Sequence, residues 1–108
     1  MNMLNKENIS ALSNAAIVQT LGAQYRTYRL TAHLTQKEVA ERAGGSLLTI
    51  RAFEQGKATN ITMGNFLSLL RAIDQLAPVA DLLPDMPVSP YVLSELNGQL
   101  PKRVRHGK

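Results

Sequence analysis

The stretch that decides the fold lies at residues 35–56 and reads TQKEVAERAGGSLLTIRAFEQG. Thr35 and Glu38 are spaced as in a capping box, the signature of a helix start, and predict a helix over 35–43. The two glycines that follow can adopt the left-handed backbone conformation that ends a helix. A second helix is predicted over 46–55, with the serine as its cap and the last glycine as its stop. The stretch therefore predicts two short helices joined by a tight turn.

Apolar spacing on both sides of this stretch predicts further helices. Upstream, apolar residues recur every three or four positions over 15–30. Downstream, Thr62 caps a longer fourth helix, and a short fifth helix is predicted over 79–83. Three prolines follow, and a small helix is expected over 91–97. Because no stretch alternates with period two, we expect an all-α fold without strands.

These elements divide the chain into three parts. We expect a flexible N-terminal arm at 1–14, a compact five-helix bundle at 15–83, and a proline-rich extension with a basic tail at 84–108. The chain has 108 residues, of which 44% are apolar, enough to fill one modest core. The sequence therefore predicts one small domain with extensions at both ends.

Several classes of protein are excluded by composition. The chain has no cysteine and two histidines, so we expect no metal site and no cofactor. No apolar stretch approaches the roughly 20 residues that a spanning helix needs, and the first residues lack the pattern of a secretory signal. We therefore expect a cytoplasmic protein with no membrane partner.

Charge is distributed unevenly along the chain. The formal net charge is +4, made up of +3 over 17–76, −3 over 77–101 and +4 over the last seven residues. A basic middle and a basic tail suit a polyanionic partner, because cations that neutralise phosphates release condensed counterions. Charge alone does not indicate sequence-specific reading. For the tail we keep two alternatives, a solubilising end and an arm that contacts DNA.

The run LGAQYRTYRLTAHLTQKEVAERAGGSLLTIRAFEQGK at 21–57 resembles the phage repressor and Cro type of helix-turn-helix regulators, also called the xenobiotic-response-element (XRE) family. The likeness covers about 17–76. The residues that carry it, in order and spacing, are Leu21, Gly22, Arg29, Leu34, Thr35, Gln36, Val39, Ala40, Ala43, Gly44, Ser46, Ile50, Phe53, Glu54 and Gly56. The resemblance implies a lambda-repressor-like fold and binding to double-stranded DNA.

The resemblance also implies roles for single residues. Gln36, at the start of the second helix, would contact a phosphate; the alternative is a solvated residue beside the cap. Arg29 and Glu54 would form a structural ion pair that fixes the recognition helix against helix 1. Residues after the recognition helix would touch the DNA backbone, with Lys57 the strongest candidate; this set is Gln55, Lys57, Thr59 and Asn60.

The groove-facing positions implied by the resemblance depart from the usual pattern. They are Ser46, Leu47, Leu48, Thr49 and Ala52, with Arg51 beside them. Leucine and alanine cannot make the paired hydrogen bonds that discriminate guanine or adenine, although they can contact thymine methyl groups. Arg51 is expected to read guanine or to bind a phosphate. For the two leucines the alternative is partial burial against a neighbouring element, and the DNA is expected to be read in part through its shape.

Proteins with a unit of this size generally bind as twofold dimers, so a homodimer is expected. More apolar surface lies in the fourth and fifth helices than one small core can absorb. The predicted interface is Leu69, Leu76, Val79, Leu82 and Leu83. The alternative is that these residues pack the fifth helix onto the fourth.

Two functions follow as hypotheses. The first is a sequence-specific DNA-binding transcriptional regulator, expected to be a repressor. The second is an antitoxin or adaptor that holds a toxin-like protein through its C-terminal part, because the order of an acidic-apolar helix end, a proline connector and a basic tail is similar to antitoxins that accompany HipA-type kinase toxins. We do not expect an enzyme, because His33 stands alone in a connection and the Gly44-Gly45 turn lacks the lysine and spacing of a phosphate loop.

Overall fold

The computed structural model describes residues 4–87 and 89–99, and over this part the chain is all-helical, as predicted, with no strand. A 3-10 turn lies on either side of the first four α-helices, at Ile9–Ala11 and Ala77–Asp81. The α-helices are α1 Asn14–Thr31, α2 Gln36–Ala43, α3 Leu47–Glu54, α4 Met63–Ala72 and α5 Pro90–Gln99. In the described ranges no helix combines the length and the apolar character that crossing a membrane requires.

Hydroxyl side chains cap the start of every α-helix. Ser13 Oγ accepts a hydrogen bond from the backbone N–H of Ala16, and Thr62 Oγ1 does the same at the start of α4. Thr35 and Glu38 form the predicted capping box at α2, with both reciprocal bonds present. The remaining caps are Ser46 for α3 and Ser89 for α5. Because these caps satisfy amide groups that a helix start leaves unpaired, they fix where each helix begins.

Left-handed residues end the first four helices. The positive φ angles are 60° at His33, 68° at Gly44, 77° at Gly56 and 59° at Asp74. Each is followed by the backbone bond that closes such a helix end; after Asp74, for example, the N–H of Gln75 donates to the carbonyl of Leu70 at 2.8 Å. Asp74 thus ends α4, and in place of the fifth helix predicted over 79–83 the chain forms a 3-10 turn at Ala77–Asp81.

The core is formed by one face of each of the first four helices. Its fully buried side chains are Phe53, Ile50 and Val39, and Tyr25, Ala40, Leu69, Ala72 and Ile73 complete it. Helix α1 packs against α3, and α2 packs against both α3 and α4. Gly22 is the point of closest approach, because a Cβ atom placed there would lie 2.0 Å from the carbonyl oxygen of Phe53. Glycine is therefore required for α1 and α3 to meet at this distance.

The N-terminal and C-terminal segments differ in their contact with the helical core. In the N-terminal segment, predicted as a flexible arm, Leu4 and Ile9 line an apolar groove beside α1. In the C-terminal segment, Ser89 and Pro90 begin α5 as predicted, but the helix continues past Gly98. The basic tail at 100–108 lies outside the described residues.

Candidate nucleic-acid interface

The predicted ion pair between Arg29 and Glu54 is confirmed. The guanidinium donates from Nε to Glu54 Oε2 at 2.7 Å and from Nη2 to Glu54 Oε1 at 2.8 Å, so the contact is bidentate. Its third nitrogen, Nη1, donates to the carbonyl of Leu34 at 2.8 Å. Both residues are buried, and paired guanidinium donors are the geometry that holds a buried carboxylate best. The pair therefore fixes α3 against α1 and against the connection that precedes α2.

Gln36 also joins this cluster. Its Nε2 donates to Glu54 Oε1 at 3.0 Å, and its side chain is half-buried. Sequence reasoning placed Gln36 at the protein surface, either facing a phosphate or in solvent, and missed this bond. Local sequence rules reach only three or four residues and could not show a bond between residues 18 positions apart. The start of α2 is thus tied to the end of α3.

Burial and hydrogen bonding shift the pKa values of Arg29, Tyr25 and Glu38. The hydrogen bonds to Glu54 raise the pKa of Arg29, so this guanidinium stays charged. Burial, with a smaller contribution from the Glu54 charge, raises the pKa of Tyr25 far above that of a free phenol. Tyr25 therefore stays protonated, and its hydroxyl donates to the carbonyl of Leu69 at 2.7 Å. At α2, the hydrogen bonds from Thr35 lower the pKa of Glu38.

The outward face of α3 carries four of the predicted DNA-contacting residues. Three of them were predicted to lie at the groove, and Gln55 was predicted to contact the DNA backbone after the recognition helix. Leu48, Arg51 and Gln55 are exposed, with Leu48 at 73% of its full exposure, and Ala52 between them is partly exposed. Leu48 lies three residues before Arg51 and four before Ala52, and Gln55 follows these two by four and three residues, so all four share one side of the helix. This side is opposite to the one that carries the buried core residues. The face combines one cation, one amide and one large apolar side chain.

The other predicted positions of α3 lie at its sides and start. Leu47 is half-buried, so the alternative of partial burial holds for Leu47 but not for Leu48. Thr49 is also half-buried and lines a small cleft of about 60 Å³ between the glycine turn and α4. Ser46 is exposed, and its Oγ accepts a hydrogen bond from the N–H of Thr49 at 3.2 Å.

The loop after α3 extends the exposed surface. Lys57, Thr59 and Asn60 are exposed, as a surface role requires. The loop is anchored to α1, because Gln19 Nε2 donates to the carbonyl of Gly56 at 3.2 Å. Lys37, which sequence reasoning did not select, is exposed in the first turn of α2. It adds a cation to the exposed surface besides Lys57.

The residues predicted for a dimer interface differ in their exposure and fall into three groups. Leu69 is a correction: it is 4% exposed and belongs to the core, so its side chain is not available to a partner. Leu76 and Val79 are half-buried. Leu82 and Leu83 are 67% and 91% exposed, and neighbouring leucines with this exposure form an apolar surface patch. The available apolar surface therefore lies beyond α4.

Comparison of the chain with family models, curated proteins and solved structures finds no match.

Proposed function

We propose that the protein is a sequence-specific regulator of transcription, acting as a repressor, that binds double-stranded DNA through a helix-turn-helix unit of lambda-repressor-like type. The observation that carries this proposal is the division of α3. One side of the helix is held against the core by Ile50, Phe53 and the Arg29–Glu54 pair. The other side carries Leu48, Arg51 and Gln55, which are exposed. A short, rigid helix with a free polar side is what the major groove admits.

The exposed side chains suit different parts of DNA. Arg51 can bind a guanine edge through two hydrogen bonds or a phosphate through one or more. Gln55 can pair with adenine, and Leu48 can contact a thymine methyl group. Lys57 and the N–H groups in the first turn of α2 suit phosphates, since a helix start and a cation both attract negative charge.

A single unit of this size offers few base contacts, so the proposal includes a twofold dimer that reads two half-sites about 34 Å apart. Of the residues expected at the interface, Leu82 and Leu83 are exposed enough to take part.

The test is selection of bound fragments from genomic DNA by the full chain at two salt concentrations. One enriched inverted repeat is the expected result. On that repeat, Arg51→Ala should weaken binding by about 10-fold or more, equivalent to about 1–3 kcal/mol.

The matched control is Arg71→Ala. Arg71 is exposed on the side of α4 that faces away from the core, so this variant removes the same charge from another surface. It should reduce affinity far less than Arg51→Ala. Equal losses in the two variants would mean that binding depends only on net charge, and the proposed face would be wrong.

A second candidate function is favoured by the segment after α4. Large apolar side chains there are exposed, namely Leu82, Leu83, Met86, Tyr91, Val92 and Leu96. Such a surface suits an antitoxin-like adaptor that holds a protein partner and for which DNA binding is secondary. Weak enrichment of DNA without a pattern at both salt concentrations would favour this function over the first.

A further inference from the structure

An apolar groove lies beside the core, along the face of α1 that carries Ile17, Leu21 and Tyr28. Its volume is about 460 Å³, and its walls come from the N-terminal segment, α1, α4 and the turn after α4. Representative wall residues are Ile9, Leu21, Tyr28, Leu70 and Leu82. Tyr28 and Leu82 are about half to two-thirds exposed at 52% and 67%, so the groove is open to a partner.

Helix α5 carries apolar residues that the described part of the chain leaves partly or largely exposed. Tyr91, Val92 and Leu96 are 71%, 44% and 42% exposed. The hydrogen bonds that its described side chains make are local; Tyr91 Oη donates to Glu95 Oε2 at 3.0 Å. No described residue after Leu82 lines the groove. The molecule thus presents an open apolar groove and, separately, a helix with an uncovered apolar face.

We propose that α5 of one copy docks in the apolar groove of a second copy, and that the exchange is reciprocal. The two surfaces are both apolar. None of the described residues that line the groove is charged, so an apolar helix face can enter it without burying an unpaired charge. A mutual exchange fills both grooves and closes a twofold dimer without leaving either surface exposed.

The connector argues for a second copy rather than for the same chain. Leu82, on the groove wall, is only eight residues before Pro90, yet α5 does not enter its own groove. Pro84, Pro87 and Pro90 fix backbone φ angles and keep the connector extended. An extended connector directs α5 away from the groove beside which it begins.

This inference names the contact surfaces of the dimer in the proposed function, and its test is separate from DNA binding. Gly22, where α1 meets α3, and Tyr28, at the groove, lie about a third of a turn apart on α1. The groove therefore leaves the outward face of α3 free.

The test uses engineered cysteines, because the natural chain has none. Full-length Tyr28→Cys is mixed with full-length Leu96→Cys, and the mixture is treated with a short bis-maleimide. We expect a crosslinked species of twice the chain mass that contains both variants. The matched control replaces Tyr28→Cys with Glu41→Cys, since Glu41 is exposed on α2, which contributes no described residue to the groove. The control mixture should crosslink several-fold less.

Three outcomes would overturn the proposal. Equal crosslinking in the two mixtures would show random collision. A double variant, Tyr28→Cys with Leu96→Cys, that crosslinks within one chain at low concentration would show that α5 docks in its own groove. A dimer in solution without crosslinking would place the interface elsewhere. If the crosslink forms but Arg51→Ala does not affect DNA binding, the proposed function fails and this inference stands.

Discussion

The inward and outward sides of α3 are built from residues only one or two positions apart, yet they differ in every physical respect. On the inward side Ile50 and Phe53 are each 1% exposed, and Glu54 accepts three hydrogen bonds from two side chains. On the outward side Leu48 is 73% exposed, and Arg51 makes no side-chain hydrogen bond to any described residue. Stability is therefore concentrated on the inward side, and the core does not constrain the side chains on the outward side.

The largest effect is expected at Gly22. Gly22→Ala would place a methyl group against the carbonyl of Phe53, and relief requires α1 and α3 to separate. We expect a loss of about 3–4 kcal/mol in the free energy of unfolding, measured by urea denaturation. The matched control is Gly64→Ala in the first turn of α4, where the added Cβ meets open space. This variant should be neutral or up to about 1 kcal/mol more stable.

The second effect concerns the buried carboxylate. Glu54→Ala leaves Arg29 buried without its partner and should reduce the free energy of unfolding by about 3 kcal/mol. The double variant Arg29→Met with Glu54→Leu removes both charges and should recover most of that loss. Glu41→Ala, on the exposed side of α2, should change stability by less than about 0.5 kcal/mol. If the double variant were no more stable than Glu54→Ala, the loss would not come from the unpaired charge.

The third effect is smaller and depends on pH. Tyr25→Phe removes the hydrogen bond to Leu69 and should cost about 1 kcal/mol near neutral pH. Because the pKa of Tyr25 is raised in the folded state, the wild type should lose stability as pH rises above about 10, where the unfolded phenol ionises and the folded one does not. Tyr25→Phe should lack this component of the loss.

Urea denaturation of both proteins between pH 8 and about 11 measures this difference. Tyr28→Phe, at an exposed tyrosine on the same helix, is the control and should follow the wild type. Parallel pH profiles for the wild type and Tyr25→Phe would contradict the assignment.

The smallest effect is expected on the outward side of α3. Leu48→Ala should change the free energy of unfolding by less than about 0.5 kcal/mol, because this side chain is largely in solvent. Ile50→Ala, two residues further along the same helix, should cost about 3 kcal/mol because it leaves a cavity in the core. Thermal denaturation of the two variants compares the two sides directly. A loss of similar size in both would remove the contrast.

Much of the local structure was predictable because its causes are local. The caps at Thr35, Ser46 and Thr62 and the stop at Gly44 act within a few residues, so the sequence shows them directly. The end of α4 at Ala72 was not predicted, because aspartate adopts the left-handed conformation of Asp74 less often than glycine does and gives a weaker signal. The prediction that Leu69 faces a partner was wrong, because Leu69 is buried in the core of its own chain. The spacing of apolar residues shows that a side chain is buried, but it does not show which surface buries it.

By itself the sequence determined the all-helical class, the helices and their boundaries near capped ends. It also indicated the pairing of Arg29 with Glu54, although through a resemblance and not through local rules. Tertiary structure alone decided that Gln36 bonds to Glu54, that Leu48 is exposed while Leu47 is half-buried, and that an apolar groove opens beside α1. The physical reason is range. Capping and backbone conformation act over three or four residues, whereas burial and side-chain bonding depend on which distant surfaces meet.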